Sequence, residues 1–143
     1  MDELTIELTT IPTVSTAQGQ PITVLHLTGT LAFDTADHAR DTLRVLGVLG
    51  SPALPPAHLI IDVERLLFLD MAGLRILLDL RRHSIAAGGH LAVAGGNDLV
   101  DFVLEVTALT DTFPRHPTIT HAVDTAVDQA AVHSHPADGS TAN

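Results

Sequence analysis

The 143-residue chain has no cysteine, lysine, tryptophan or tyrosine. Without cysteine it can build neither a disulfide framework nor thiolate chemistry. Its aromatics amount to 3%, all phenylalanine, so the stacking platforms that hold single-stranded nucleic acid are missing. Cations are scarce too. Seven arginines face 17 Asp and Glu, for a net charge of −10 at pH 7, and only Arg81 and Arg82 are adjacent. Such a surface repels phosphate backbones and anionic lipid, which argues against nucleic acid and membranes as partners. No apolar run reaches the roughly 20 residues needed to cross a bilayer, and the start MDELTIEL lacks a basic, apolar signal segment. The reading is a soluble, cytoplasmic protein with no direct membrane insertion.

What remains is ample for a core. Hydrophobic residues make up 45% of the chain, charged residues 17%, and the mean hydropathy is +0.30, which excludes a disordered chain. A domain of this length buries roughly two-thirds of its unfolded surface and folds without staples. From about His133 the sequence turns to Ser, Pro, Asp, Gly and Thr without pattern. We therefore expect one domain over residues 1–131 and a disordered tail over 132–143.

Periodicity orders the elements. Leu4-Thr5-Ile6-Glu7-Leu8 alternates as a half-buried strand does, and Ile22-Thr-Val-Leu-His-Leu27 reads as a second, more central one. The break around Pro12 and Gly19-Gln20-Pro21 suits a long hairpin loop, hence an antiparallel pair. Asp34 is the expected cap of a first helix, with Asp37 in its first turn and Ala36, Ala39, Leu43 and Leu46 inward. The run His58-Leu-Ile-Ile-Asp-Val63 fits a strand covered on both faces. Asp70 is the expected N-cap of a second helix with Leu74, Leu77, Leu78 and Ile85 inward and Arg75, Asp79 and Arg82 outward. Gly88-Gly89 stops it, and Leu91-Ala-Val-Ala94 is a short fourth strand. Asp98 is expected to cap a third helix with Leu99, Phe102, Val103 and Val106 on one face. Phe113-Pro-Arg-His-Pro117 reads as an extended link, and Thr118 as the cap of a last helix burying Ile119, Ala122, Val123, Ala126 and Ala130. This order predicts an α/β domain: a mixed sheet of about four strands, the first antiparallel, covered by about four helices.

Several segments together resemble one family. Val24-Leu-His-Leu-Thr-Gly-Thr-Leu31 with Thr35-Ala36 looks like the second strand and first helix start of STAS domains. These are the domains of bacterial anti-sigma factor antagonists and of sulfate-transporter cytoplasmic tails. Leu59-Ile-Ile-Asp-Val63 through Phe68-Leu-Asp70, then Gly73-Leu74, resembles the family's central strand and the loop into its regulatory helix. Phe102-Val-Leu-Glu-Val-Thr-Ala-Leu109, followed by Thr112-Phe113-Pro114, resembles its third helix and exit. The matches are collinear over about residues 4–130. In phosphorylated antagonists the loop reads Asp-Ser-Ser-Gly, and the second serine accepts phosphate from a partner kinase. Here it reads Asp70-Met71-Ala72-Gly73, so Ala72 stands where the acceptor hydroxyl would be. The acidic residue that usually lies near that hydroxyl is Ala32.

A hydroxyl at a helix start suits phosphorylation because the amide dipoles there stabilise the added anion, and the added charge disrupts a docking face. Alanine abolishes that switch while keeping the size and neutrality of an unmodified serine. The resemblance thus implies a non-catalytic protein-binding module whose partner is a kinase-type anti-sigma factor. Its docking face would comprise Thr30, Ala32, Asp34, Thr35, Asp70, Met71, Ala72, Gly73 and Arg75. The alternative is a STAS subunit of a membrane transport assembly, which needs no phosphorylation. An ordinary helix start explains Asp70 and Ala72 without any function, equally well as docking does for Asp70, and it is the better account of Met71. Asp62 is expected to order residues 28–30 by hydrogen bonds, and Gly29 and Gly73 to mark tight backbone approaches. No Walker A, Gly-x-Ser-x-Gly, Gly-x-Gly-x-x-Gly or His-Glu-x-x-His occurs, and the nine histidines, His116, His121, His133 and His135 among them, bring no third ligand within reach. No catalytic residue, metal or cofactor is implied.

Overall fold

The structure, a computed structural model, describes residues 4–11, 22–49 and 58–133. It has five strands and four helices in the order β1 (Thr5–Ile11), β2 (Ile22–Leu31), α1 (Ala36–Val45), β3 (His58–Leu69), α2 (Met71–Ala86), β4 (His90–Ala94), α3 (Asp98–Val106), β5 (Arg115–His116) and α4 (Ile119–His133). The sheet order is β1-β2-β3-β4-β5. β1 pairs antiparallel to β2, as the hairpin-length break between them implied, and every later pair is parallel because each is joined through a helix. The fifth strand is a two-residue addition to the expected sheet of about four. The segment around Phe113 is not merely a link, because Arg115 and His116 pair with Val93 and Ala94 at the sheet edge. Two residues are too short a run to stand out by alternation.

The two faces of the sheet are covered unequally. Leu25, Leu27, Leu59, Ile61 and Val63 point to one side, where Leu43 of α1, Leu74 and Leu77 of α2, Val100 and Leu104 of α3 and the fully buried Phe113 complete the main core. Ile22, Val24, Ile60 and Ala94 point to the other, against Ala122 and its helical neighbours Ile119, Val123 and Ala126 of α4. The continuous apolar run of β3 is therefore the signature of a doubly covered strand.

β3 extends six residues beyond the run that marked it, and this extension carries two irregularities that break its period. Its register with β2 shifts between His26 and Thr28 and again between Gly29 and Thr30, so that Thr28 faces Arg65 and Thr30 faces Phe68. Each shift inserts one extra residue into β3, and Gly29 supplies the positive φ (101°) at that point. The inward positions accordingly switch from every second residue to Leu66 and Leu69, while Leu67 and Phe68 are turned out to solvent.

Two helix caps differ from expectation. Asp34 does not cap α1; the N-cap position is Thr35, which makes no side-chain capping bond to the helix. Asn97, not Asp98, caps α3. Its Oδ1 accepts from Val100 N–H (3.1 Å), while its Nδ2 donates to the carbonyls of Val63 (2.7 Å) and Leu66 (2.8 Å). Those carbonyls sit in the irregular stretch of β3, Val63 at its first register shift and Leu66 at the start of its second, and need a donor, which an amide has and a carboxylate lacks. This anchor turns α3 so that Val100 and Leu104 are buried, and leaves Phe102 and Val106 outside. In α2, Ile76, Leu80 and Ser84 join Leu74 and Leu77 in the interior, whereas Ile85 is exposed. Thr118 acts as expected: its hydroxyl accepts from His121 N–H at 3.0 Å. The expected hairpin loop and residues 134–143 of the expected tail lie outside the described residues.

Candidate functional site

β2 and β3 run parallel and end side by side, so the loop into α1 and the start of α2 emerge at the same rim, the carboxyl end where sites of open α/β sheets form. Asp70 ties the two together. Its Oδ1 accepts from Gly73 N–H at 3.0 Å, the capping bond expected of it, and its Oδ2 accepts from Phe33 N–H at 3.0 Å. Its own N–H points to the carbonyl of Leu31 at 3.4 Å. One carboxylate therefore satisfies an orphan donor of the helix and staples the α1 loop to it.

Gly73 completes the joint. A Cβ there would lie 2.2 Å from the Leu31 carbonyl oxygen and 2.8 Å from Leu69 Cδ1, so only glycine lets the first turn of α2 sit on the end of β2. The tight approach expected of Gly73 is thus real. Thr35 shapes the loop from the other side. Its hydroxyl accepts from Ala32 N–H (2.9 Å) and donates to the Thr30 carbonyl (2.9 Å), closing residues 30–35 into a turn. Residues 30–35 and 70–75, which only the family resemblance had joined, form one contiguous surface.

Within that surface the individual residues differ in what they offer. Ala32 and Gly73 are buried and shape the site from beneath; Thr30, Thr35, Asp70 and Ala72 are half-buried; Asp34, Met71 and Arg75 are exposed. Among the described residues no ion pair engages Arg75. Two phenylalanines outside the expected docking face, Phe33 and Phe68, stand out on the same rim beside Met71. Phe33 is 83% exposed and Met71 61%, with Phe68 half-exposed beside Thr30. Exposed aromatic and Met side chains clustered around a polar rim are the usual composition of an interface core. The missed signal was scarcity: a chain with four phenylalanines places two of them here.

Replacing Asp70 separates its two bonds. Asp70→Ala is expected to destabilise the fold by about 2 kcal/mol, the sum of a lost cap and a lost loop bond. Asp70→Asn keeps one acceptor oxygen and should cost about half as much. Urea denaturation of the three proteins measures it, and equal stability of all three would remove Asp70 from both roles.

Other expected contacts fall elsewhere. Asp62 does not order residues 28–30. Its Oδ2 pairs with His26 Nδ1 at 2.8 Å, and its Oδ1 accepts from Glu64 N–H at 3.1 Å, because the strand irregularity carries residues 28–30 past it. The other ring nitrogen of His26, Nε2, lies 3.1 Å from the Thr9 hydroxyl, so the imidazole bridges β1 and β3. His116 and His121 meet through their Nδ1 atoms at 2.8 Å. Burial, then the charges of His121 and Arg115, hold His116 below its ordinary value of 6.5. Among the described residues no group of three or more His, Asp or Glu is arranged to hold a metal ion, and no helix is long and apolar enough to cross a membrane.

Comparison with known proteins agrees with this architecture. An anti-sigma factor antagonist from Mycobacterium paratuberculosis superposes with a TM-score of 0.63 at 20% identity, over 85% of this chain and 94% of that one. The unphosphorylated form of SpoIIAA, the Bacillus anti-sigma factor antagonist, gives 0.61 at 20% identity, over 85% and 95%. A sulfate transporter family protein from Wolinella succinogenes gives 0.57 at 20% identity, over 72% and 82%. At this identity the likeness is one of fold. No curated protein matches the chain. The family model for the STAS domain matches residues 5–126, and with them the joined strands, loop and helix start that build the site. The chain belongs to the STAS domain family.

Proposed function

We propose that this chain is a non-catalytic regulatory module that docks on a kinase-type anti-sigma factor in the manner of an anti-sigma factor antagonist. The observation that carries the reading is the rim joined by Asp70, where Phe33, Asp34, Met71 and Arg75 are presented to solvent around the half-buried Ala72. Two of the structural relatives are named as antagonists of this kind. The shape supports the reading as much as the composition does, because the face is built before any partner arrives, which lowers the ordering cost of binding.

Ala72 sets the regulation. It is the second residue of α2, where the first amides have no partner within the helix and a phosphate would be held. With a methyl group there the face cannot be charged by phosphorylation at this position, and the docking form is permanent. Residues 70–75 contain no Ser, Thr or Tyr. The experiment is incubation of the complex with ATP and magnesium, followed by size-exclusion chromatography and intact-mass measurement. We expect the complex to persist and the mass to stay unchanged. Dissociation with phosphate on Thr30 or Thr35 would overturn the locked reading, since those hydroxyls lie in the same face.

The second reading, a STAS subunit of a membrane transport assembly, draws support from the sulfate transporter family relative, which is as similar in sequence as the antagonists are. It uses the same rim against a different partner and likewise needs no hydroxyl at position 72. Binding to a transporter segment, with none to a kinase-type anti-sigma factor, would select it.

A further inference from the structure

Helix α3 has an apolar side that the fold does not use. Val100 and Leu104 enter the core, whereas Phe102 is 59% and Val106 61% exposed, one helical turn apart on the opposite side. Half-buried Leu99 and Val103 continue this strip toward the core. Along its other border run Asp98, Asp101 and Glu105, all exposed, with no basic residue in the helix. Only Asp101 is paired by an ion bridge, to Arg115 Nε at 2.6 Å; among the described residues none engages Asp98 or Glu105. Phe102, Leu104, Thr110 and Arg115 line an open groove of about 450 Å³ beside this border.

We infer that the outer face of α3 is a second docking surface, and that its occupant is an amphipathic, basic segment of another protein: apolar side chains over Phe102 and Val106, lysines or arginines over Asp98 and Glu105. Charge complementarity selects this occupant. A second copy of the chain would bring its own excess of carboxylates, 17 against seven arginines, and anionic lipid would be repelled likewise. No segment of this chain has the required character, since it lacks lysine and its only adjacent cations, Arg81 and Arg82, are already in α2. An aromatic anchor beside charges of one sign is the arrangement by which one helix face captures another. The inference rests on α3 alone and is independent of the function proposed for the rim at Asp70.

The test is an NMR titration of the ¹⁵N-labelled chain with three synthetic peptides: an amphipathic Leu/Lys helix, its Leu/Glu counterpart, and a Gly/Lys peptide of equal charge. We expect saturable binding of the Leu/Lys helix, with shifts centred on residues 98–106, and no saturable binding of the other two. Phe102→Ser should weaken that binding at least tenfold, and the pair Asp98→Asn with Glu105→Gln several-fold. Raising salt should weaken the parent more than the doubly neutralised variant. Both changes are at exposed positions, so unchanged melting curves establish that the fold is intact. Shifts spread over the acidic surface, shifts centred on Phe33 and Met71, or an affinity indifferent to Phe102→Ser would each overturn the inference.

Discussion

Gly73→Ala is expected to destabilise the domain by about 3 kcal/mol, or roughly 10 °C in Tm. Helix propensity points the other way, since alanine is favoured over glycine inside a helix by about 1 kcal/mol. The contact geometry decides the sign. The added methyl would fall 2.2 Å from the Leu31 carbonyl oxygen, a backbone atom held in the sheet, and 2.8 Å from Leu69 Cδ1. Neither the sheet nor the helix can give by the ångström or more that is needed without opening the joint between β2 and α2. Gly96→Ala is the matched control, because nothing lies within 4 Å of a Cβ there and its φ is not positive. It should change stability by less than about 0.5 kcal/mol. Thermal and urea denaturation of both variants measure the difference, and equal stability would mean that α2 does not rest on the end of β2 and the rim is not prebuilt.

Ala72→Glu is expected to separate binding from folding. At the second position of a helix a carboxylate interacts favourably with the unpaired amides, so stability should hold or rise by a few tenths of a kcal/mol. Docking should suffer in proportion to the charge buried. An unpaired carboxylate left in an interface costs about 3 kcal/mol, roughly a hundredfold in Kd. Ala72→Ser, neutral and of similar size, should bind like the parent. Titration calorimetry against a kinase-type anti-sigma factor reads all three, and equal affinity of the parent and Ala72→Glu would remove the start of α2 from the docking face.

The fold was legible where burial is one-sided or complete. The alternation of residues 4–8 placed a strand, the hairpin-length break after it gave the antiparallel pairing, and the run 58–63 placed a doubly covered strand. Sequence reading failed where the backbone departs from a regular period. Beyond Val63 the inward residues are Leu66 and Leu69, because β3 carries two extra residues relative to β2, and no alternation survives such shifts. α3 failed for a related reason. Residues 98–106 are apolar on most sides, so periodicity alone allowed two buried faces, and the helix is anchored by Asn97 reaching the carbonyls of β3, 34 and 31 residues away. At the site, Asp70 was legible as a cap from its place before a helix, and its second bond, to Phe33, was not, since that pairing exists only once β2 and β3 lie side by side.

The central claim is that the rim formed by residues 30–35 and 70–75 is the surface a partner covers. Amide hydrogen exchange of the chain, free and in complex with a kinase-type anti-sigma factor, tests it most directly. The amides of Met71 and Ala72 open α2 and have no partner within the helix, so they exchange rapidly in the free protein and report any partner that excludes water from them. We expect slowed exchange at Asp34, Met71 and Ala72, with none at the solvent side of α4. A complex that forms while exchange at those three amides is unchanged, with protection on α4 instead, would contradict the account.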